Sequence, residues 1–145
     1  MRPETHLTAG LLVGTATGLA VGHPYIGMAA GAIGGILPDI DHPGTILYYI
    51  IGHRTLTHKV EFVLAASILL FMVGTIFNMP LAIGLSFMGG SLSHLLLDAP
   101  TRSGVTPFLL FPLHLSGPIK SRSIIINASL TVFFAYCTGK ILGVL

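Results

Sequence analysis

Apolar residues run along this chain in long blocks, separated by short polar islands. Leu7 to Gly22 is the first block, and Gly22-His23-Pro24 breaks it. Tyr25 to Leu37 is the second, and Pro38-Asp39-Ile40-Asp41-His42-Pro43 stops it. Proline on both sides of that island predicts an irregular, pre-organised loop. Thr45 to Gly52 is apolar but too short to span a bilayer, which predicts an interfacial helix. The island Gly52-His53-Arg54-Thr55-Leu56-Thr57-His58-Lys59 follows. Val60 to Phe77 is long enough to cross, Asn78-Met79-Pro80 turns, and Leu81 to Leu97 returns. Residues 98–122 form a loop punctuated by Gly and Pro, with an apolar stretch from Phe108 to Leu115 expected at the interface. Ile124 to Leu145 is the last block, with Lys140 near its end.

Glycines organise the first two blocks. Gly10, Gly14, Gly18 and Gly22 recur every four residues, as do Gly27, Gly31 and Gly35. Such small-residue stripes let bilayer helices approach closely, so the two blocks are expected to form a tight antiparallel hairpin. At about 15 residues each they reach roughly 22 Å, against a hydrocarbon core of about 30 Å. One end of the hairpin therefore sits below headgroup level, or the bilayer thins around it.

Composition says what solvent these blocks meet. Of 145 residues, 52% are hydrophobic and only 8% charged, with mean hydropathy +0.87. A soluble domain carries roughly 25% charged residues, so the chain reads as an integral membrane protein. It has no Trp, which leaves Tyr, Lys and Arg as interfacial anchors. The single cysteine, Cys137, excludes an internal disulfide and a multi-thiolate metal site. The charged start, Met1 to His6, lacks a small-residue cleavage site and is expected to stay in the mature protein. The expected fold is a single all-α domain, residues 1–145, with five transmembrane helices.

Topology then sorts the polar residues. His6 precedes the first span, Asp39, Asp41 and His42 follow the second, His53 and His58 precede the third, and His94 and Asp98 end the fourth. An even number of crossings separates each cluster from the next, so all share one face. Arg2, Arg54, Lys59, Arg102, Lys120 and Arg122 share it too, and Lys140 lies opposite. By the positive-inside rule that face is cytoplasmic, which predicts a multi-pass protein of the cell membrane with N-in, C-out topology.

His94 and Asp98 stand four residues apart, one turn apart on one helix face. Ionisable groups at the end of a lipid-bathed helix are costly and usually face a cavity or a partner. Imidazole and carboxylate together suit Zn²⁺, Mn²⁺ or Fe²⁺. The candidates His6, Asp39, Asp41, His42, His53, His58, His94 and Asp98 exceed what one tetrahedral ion needs. Asp98 is placed to bridge two ions, and Arg54, Arg102, Lys120 and Arg122 are placed to hold an anion such as a phosphate. Taken singly, these residues have plainer readings. His94 and Asp98 can be a helix-end hydrogen-bonded pair, Asp39 and Asp41 Asx-turn residues, and the basic residues topology signals touching anionic lipid. His23 reads as a structural turn residue and His114 as interfacial. Convergence favours a site: three carboxylates and at least four histidines fall on one face of a chain this poor in charge.

These residues resemble the membrane-bound metal-dependent hydrolase family, some members of which are described as LexA-regulated inner-membrane proteins. The resemblance is carried by His6-Leu7, by Leu37-Pro38-Asp39-Ile40-Asp41-His42-Pro43, by Gly52-His53-Arg54 with Thr57-His58, and by Ser93-His94 followed by Asp98, Thr101, Gly104 and Val105. That family is distantly similar to zinc-dependent phospholipase C. The resemblance implies a metal held by an aspartate of the Asp39/Asp41 pair, His58, His94 and Asp98, with His6 on a neighbouring metal bridged through Asp98. No second histidine-and-glutamate set follows Asp98, so one or two ions are expected rather than three. Lys59 stands where the family often has a small polar residue.

The expected function is a membrane-bound metal-dependent hydrolase acting on a phosphoester, such as a phospholipid or a lipid-linked phosphate, at the cytoplasmic interface. His6, Asp39, Asp41, His58, His94 and Asp98 are the expected ligands. Asp41 is the expected general base, and Arg54, Lys59 and Arg102 are the expected phosphate contacts. His42, His53, Thr57 and Thr101 are candidates for supporting the ligands. Membrane lipid is the expected partner, nucleic acid is not expected, and oligomeric state is left open. The rivals are a metal-stabilised scaffold or regulator and, last, a small metal-ion or proton transporter.

Overall fold

The computed structural model describes residues 1–41, 43, 45–51 and 56–145, so His42, His53 and Arg54 lie outside the described residues. Six α-helices form among the described residues: α1 Pro3–Ala20, α2 Pro24–Ile36, α3 Ile46–Ile51, α4 Val60–Ile76, α5 Pro80–Asp98 and α6 Ile124–Ile141. The fold is all-helical, with no strand among them. Proline opens α1, α2 and α5, where its missing N–H costs nothing and its fixed φ suits the first turn. The sharp α1–α2 turn uses Gly22 at φ +81°, and the α4–α5 turn uses Asn78 at φ +57°. Both turns lie at one end of the bundle and line a cavity of about 120 Å³ with Val21, His23, Asn78 and Met79. The island after α2 continues as a 3-10 helix, Leu37–Asp41, where the sequence predicted an irregular loop.

Glycine sets the spacing of the centre. A Cβ built on Gly14 would lie 2.8 Å from Gly31 Cα, and one on Gly27 would lie 2.5 Å from Gly18 Cα. The two backbones therefore touch, which any larger residue would prevent. The same face of α2 also receives α5: a Cβ on Gly90 would lie 3.0 Å from Gly31 Cα, and one on Gly34 would lie 3.0 Å from the Ser91 nitrogen. The expected hairpin is thus a three-helix unit of α1, α2 and α5. Helix α4 packs on α5 through Gly84 against Phe71. Helix α6 packs on α1, where Asn127 accepts from the Arg2 N–H (2.8 Å) and the Thr5 hydroxyl (2.9 Å).

Side chains are distributed as in a bundle bathed in an apolar solvent. Among the described residues, seven hydrophobic side chains are buried against fifteen polar or charged ones. Leu64, Ile68, Leu69, Met72 and Ile76 of α4 face outward, as do Ile125, Val132 and Phe133 of α6. Water-soluble proteins almost never bury charge in preference to Leu and Ile. By length and composition, α5 and α6 are each sufficient to cross a membrane, and α4 is a shorter apolar helix of 17 residues.

The loop after α5 is closed by isolated bridges pairing Thr101 with Ile119 and Val105 with Leu115. The start of α4 clamps it. Lys59 Nζ donates to the Thr106 carbonyl (2.7 Å), Val60 N–H donates to the Pro107 carbonyl (2.7 Å), and the Glu61 carboxylate accepts from Leu109 N–H. The clamped tip presents exposed Leu109, Leu110 and Phe111. The start of α1, the end of α2, the start of α4 and the end of α5 therefore meet at one end of the bundle.

Candidate metal centre

Four helix ends deliver five side chains to that meeting point. His6 comes from the first turns of α1, Asp39 from the 3-10 segment, His58 from just before α4, and His94 and Asp98 from the last turn of α5. His6, His94 and Asp98 are fully buried and His58 is nearly so, while Asp39 keeps 24% of its side chain exposed. The His6 and His94 rings stack at 3.6 Å, and His58 meets His94 edge-on at 5.1 Å. Two overlapping triads have donor atoms close enough to share an ion: His6, Asp39 and His94, and His58, His94 and Asp98.

Hydrogen bonds orient the rings. His94 Nδ1 lies 2.7 Å from the Gly35 carbonyl. A carbonyl only accepts, so Nδ1 carries the proton, and in the neutral ring Nε2 presents a lone pair. That buried Nε2 has no hydrogen-bond partner among the described residues. It faces Asp39 Oδ1 at 3.6 Å and Asp98 Oδ2 at 3.9 Å. His58 follows the same scheme. The Thr57 hydroxyl donates to Asp41 Oδ2 (2.6 Å), which leaves its oxygen to accept from His58 Nδ1 (3.2 Å). His58 Nε2 is thereby turned to the same Asp39 Oδ1, at 3.6 Å. A ligating histidine is usually fixed by a hydrogen bond from its other ring nitrogen to a carboxylate, a carbonyl or water; here Thr57, backed by Asp41, takes that place.

Lone pairs aimed at carboxylates across such gaps repel unless a cation lies between them. Zinc–ligand bonds of about 2.0–2.2 Å in tetrahedral geometry put ligand atoms about 3.3–3.6 Å apart. The observed separations begin at 3.3 Å, for His6 Nε2 and Asp98 Oδ1, and reach 3.9 Å for His94 and Asp98. The donor set and its spacing fit a divalent ion. The Met1 amino group, itself a cation, is lodged among these residues, 2.9 Å from His6 Nε2 and paired with Asp98 Oδ1. Burial alone would raise the Asp39 carboxyl, but the imidazoles of His58, His94 and His6 around it bring it down to about 2.

The other expected site residues fall elsewhere. Asp41 is fully buried and stands behind His58 through Thr57, outside both triads. Lys59 is committed to the Thr106 carbonyl, and Arg102 is exposed, with Nε 3.4 Å from the Pro118 carbonyl. Thr101 closes the end of α5 by donating to the Asp98 carbonyl (2.8 Å). His114 is exposed, 3.3 Å from the Thr106 hydroxyl. Sequence reasoning gave Asn127 no role, yet it ties α6 to the start of α1 close to His6. A lone asparagine in an apolar span was the available signal.

Known proteins give this arrangement a family. The chain is 32% identical over 124 residues to the uncharacterized protein YvsG of Bacillus subtilis (strain 168), covering 77% of this chain and 74% of YvsG. No solved structure matches it. The family described as YdjM inner membrane protein matches residues 1–144. This chain belongs to the YdjM inner membrane protein family and is a membrane protein.

Proposed function

We propose that the protein is a membrane-bound metal-dependent hydrolase that cleaves a phosphoester of a membrane lipid at the cytoplasmic interface. In this reading α1, α2, α4, α5 and α6 are the five crossings, and the charged end of the bundle faces the cytoplasm. The observation that carries the proposal is the convergence of His58 Nε2 and His94 Nε2 on one carboxylate oxygen of Asp39, each at 3.6 Å, at the end of a bundle whose sides are apolar.

His6, Asp39, His58, His94 and Asp98 would hold one or two divalent ions, zinc first by donor chemistry. Such an ion supplies a Lewis acid for a phosphoryl oxygen and an acidified water as nucleophile. The protein does the rest. Asp39, the most exposed of the five, marks the side from which the phosphate would enter. Asp41 orients His58 through Thr57, and the Gly35 carbonyl orients His94. Arg54 is the proposed clamp on the anionic substrate.

The test is turnover of purified, metal-restored protein on mixed phospholipids, read as released headgroup or phosphate. Metal-dependent release that falls at least about 10²-fold in Asp39→Asn supports the reading. No release from any phospholipid or soluble phosphoester, with metal bound, removes it. A second reading then stands, a metal-stabilised scaffold, which is favoured by the near-complete burial of His6, His58, His94 and Asp98.

A further inference from the structure

Beside the cluster, the outer side of the α1–α2 pair carries a groove of about 380 Å³ lined by Pro3, Ile33, Ile36, Leu37, Ile40 and Asp39. The volume lies in the range of ligand pockets. Positions 33, 36, 37 and 40 have the i, i+3, i+4, i+7 spacing of one helix face, carried from α2 into the 3-10 segment. Ile33, Ile36 and Ile40 are each between 42% and 53% exposed. Among the described lining residues Asp39 alone has a polar side chain, and it belongs to the candidate metal cluster.

We propose that this groove binds the proximal part of one acyl chain of a phospholipid, with the phosphate end at Asp39. The proposal rests on the hydrolase reading for what happens at that end, and names how the substrate is seated. Polarity and direction argue for this occupant. Helix α2 runs from the far turn toward the cluster, so Ile33 lies deeper in the bundle than Asp39. The separation is roughly 10 Å, from rises of about 1.5 Å per α-helical and 2.0 Å per 3-10 residue. A lipid has the same layout: a charged head at the interface and a hydrocarbon body descending along the membrane normal. Among the described residues the wall is otherwise aliphatic, with no aromatic face for a base or a sugar to stack on. A soluble phosphoester would leave it empty.

The absence of tryptophan from the chain gives a clean probe. Ile33→Trp places one fluorophore in the groove, and Leu69→Trp places one on the outward face of α4, where Leu69 is 62% exposed. Each variant, metal-loaded in detergent micelles, is titrated with phosphatidylglycerol carrying brominated acyl chains, which quench tryptophan on contact. Saturable quenching at Ile33→Trp, with a midpoint at least about tenfold below that at Leu69→Trp, supports the groove. Quenching that tracks lipid mole fraction identically at both positions overturns it. The two proposals fail separately. Saturable quenching without turnover keeps the groove and removes the hydrolase, whereas turnover without saturable quenching keeps the hydrolase and removes the groove.

Discussion

Replacing Gly35 with alanine tests whether backbone contact between α1 and α2 sets the spacing of the cluster. In an ordinary helix this change stabilises by about 1 kcal/mol, because glycine is the poorer helix former. Here the new Cβ would lie 2.5 Å from the His6 carbonyl oxygen and 3.1 Å from Gly10 Cα. Ordinary contact begins at 3.4 Å, so the His6 backbone must retreat by about 0.9 Å. Overpacking of this kind costs about 1–3 kcal/mol, which offsets the propensity gain at the lower end and exceeds it over the rest of the range. The same retreat moves His6 away from Asp98 and disturbs the Gly35 carbonyl that holds His94. Metal–ligand distances tolerate only about ±0.2 Å. Gly35→Ala should therefore lower the thermal midpoint in detergent and weaken metal binding by at least about tenfold. Gly22→Ala is the control. Gly22 sits at φ +81° with nothing within 4 Å of its Cβ position, so alanine there costs about 1–2 kcal/mol of backbone strain and leaves the ligands alone. It should lower the midpoint and leave metal affinity unchanged. If Gly35→Ala binds metal as wild type does and melts at or above it, the close-contact argument is wrong.

Other predictions address the supports around the cluster. Thr57→Ala should reduce metal affinity about 10–100-fold by freeing the His58 ring, with the helical content intact, and Thr57→Ser should restore it. Acidification should release the metal through the histidines, since an imidazole must be neutral to ligate. Asp39, held down to about 2, keeps its charge through that release, so an Asp39→Asn variant that holds metal as tightly as wild type at neutral pH would contradict the ligand set. Asn127→Leu strands the Arg2 N–H and the Ser121 carbonyl, while the Thr5 hydroxyl keeps Thr131 and the Ser123 carbonyl keeps the backbone N–H of residue 127. Each stranded buried group costs about 1–3 kcal/mol. The variant should expose the α6 region to limited proteolysis before the rest of the bundle, and equal resistance would refute the clamp.

Much of the layout was legible in the chain. Blocks of apolar residues between Pro, Gly and Asn breakers put the helix ends within a few residues of where they fall. The four-residue glycine spacing carried the α1–α2 contact. Reversal of direction between successive apolar blocks carried the meeting of His6, Asp39, His58, His94 and Asp98. What escaped were choices made in three dimensions among similar residues. Ala82, Ser86 and Gly90 recur every four residues along α5, but a mixed small-residue stripe does not say which helix it meets, so the contact of Gly90 with Gly31 was not expected. Asp39 and Asp41 look equivalent in sequence, and only the tight 3-10 turn sends one to the histidines and the other to Thr57. Lys59 and Arg102 looked like anion contacts because they flank ligands. The loop after α5 instead offers carbonyls that need donors, and it takes Lys59 at Thr106 and Arg102 at Pro118. The bridges that close this loop join residues too far apart in sequence to leave a local pattern.

The most direct test of the central claim is metal content. Wild type, His94→Ala and Asp98→Asn would be purified in mild detergent and metal per chain determined by elemental analysis, with circular dichroism to show that each is folded. The account predicts one or two divalent ions per wild-type chain and their loss from both folded variants. A folded, monodisperse wild type that takes up neither Zn²⁺ nor Mn²⁺ would contradict it, and the cluster would then be a buried hydrogen-bonded network rather than a metal centre.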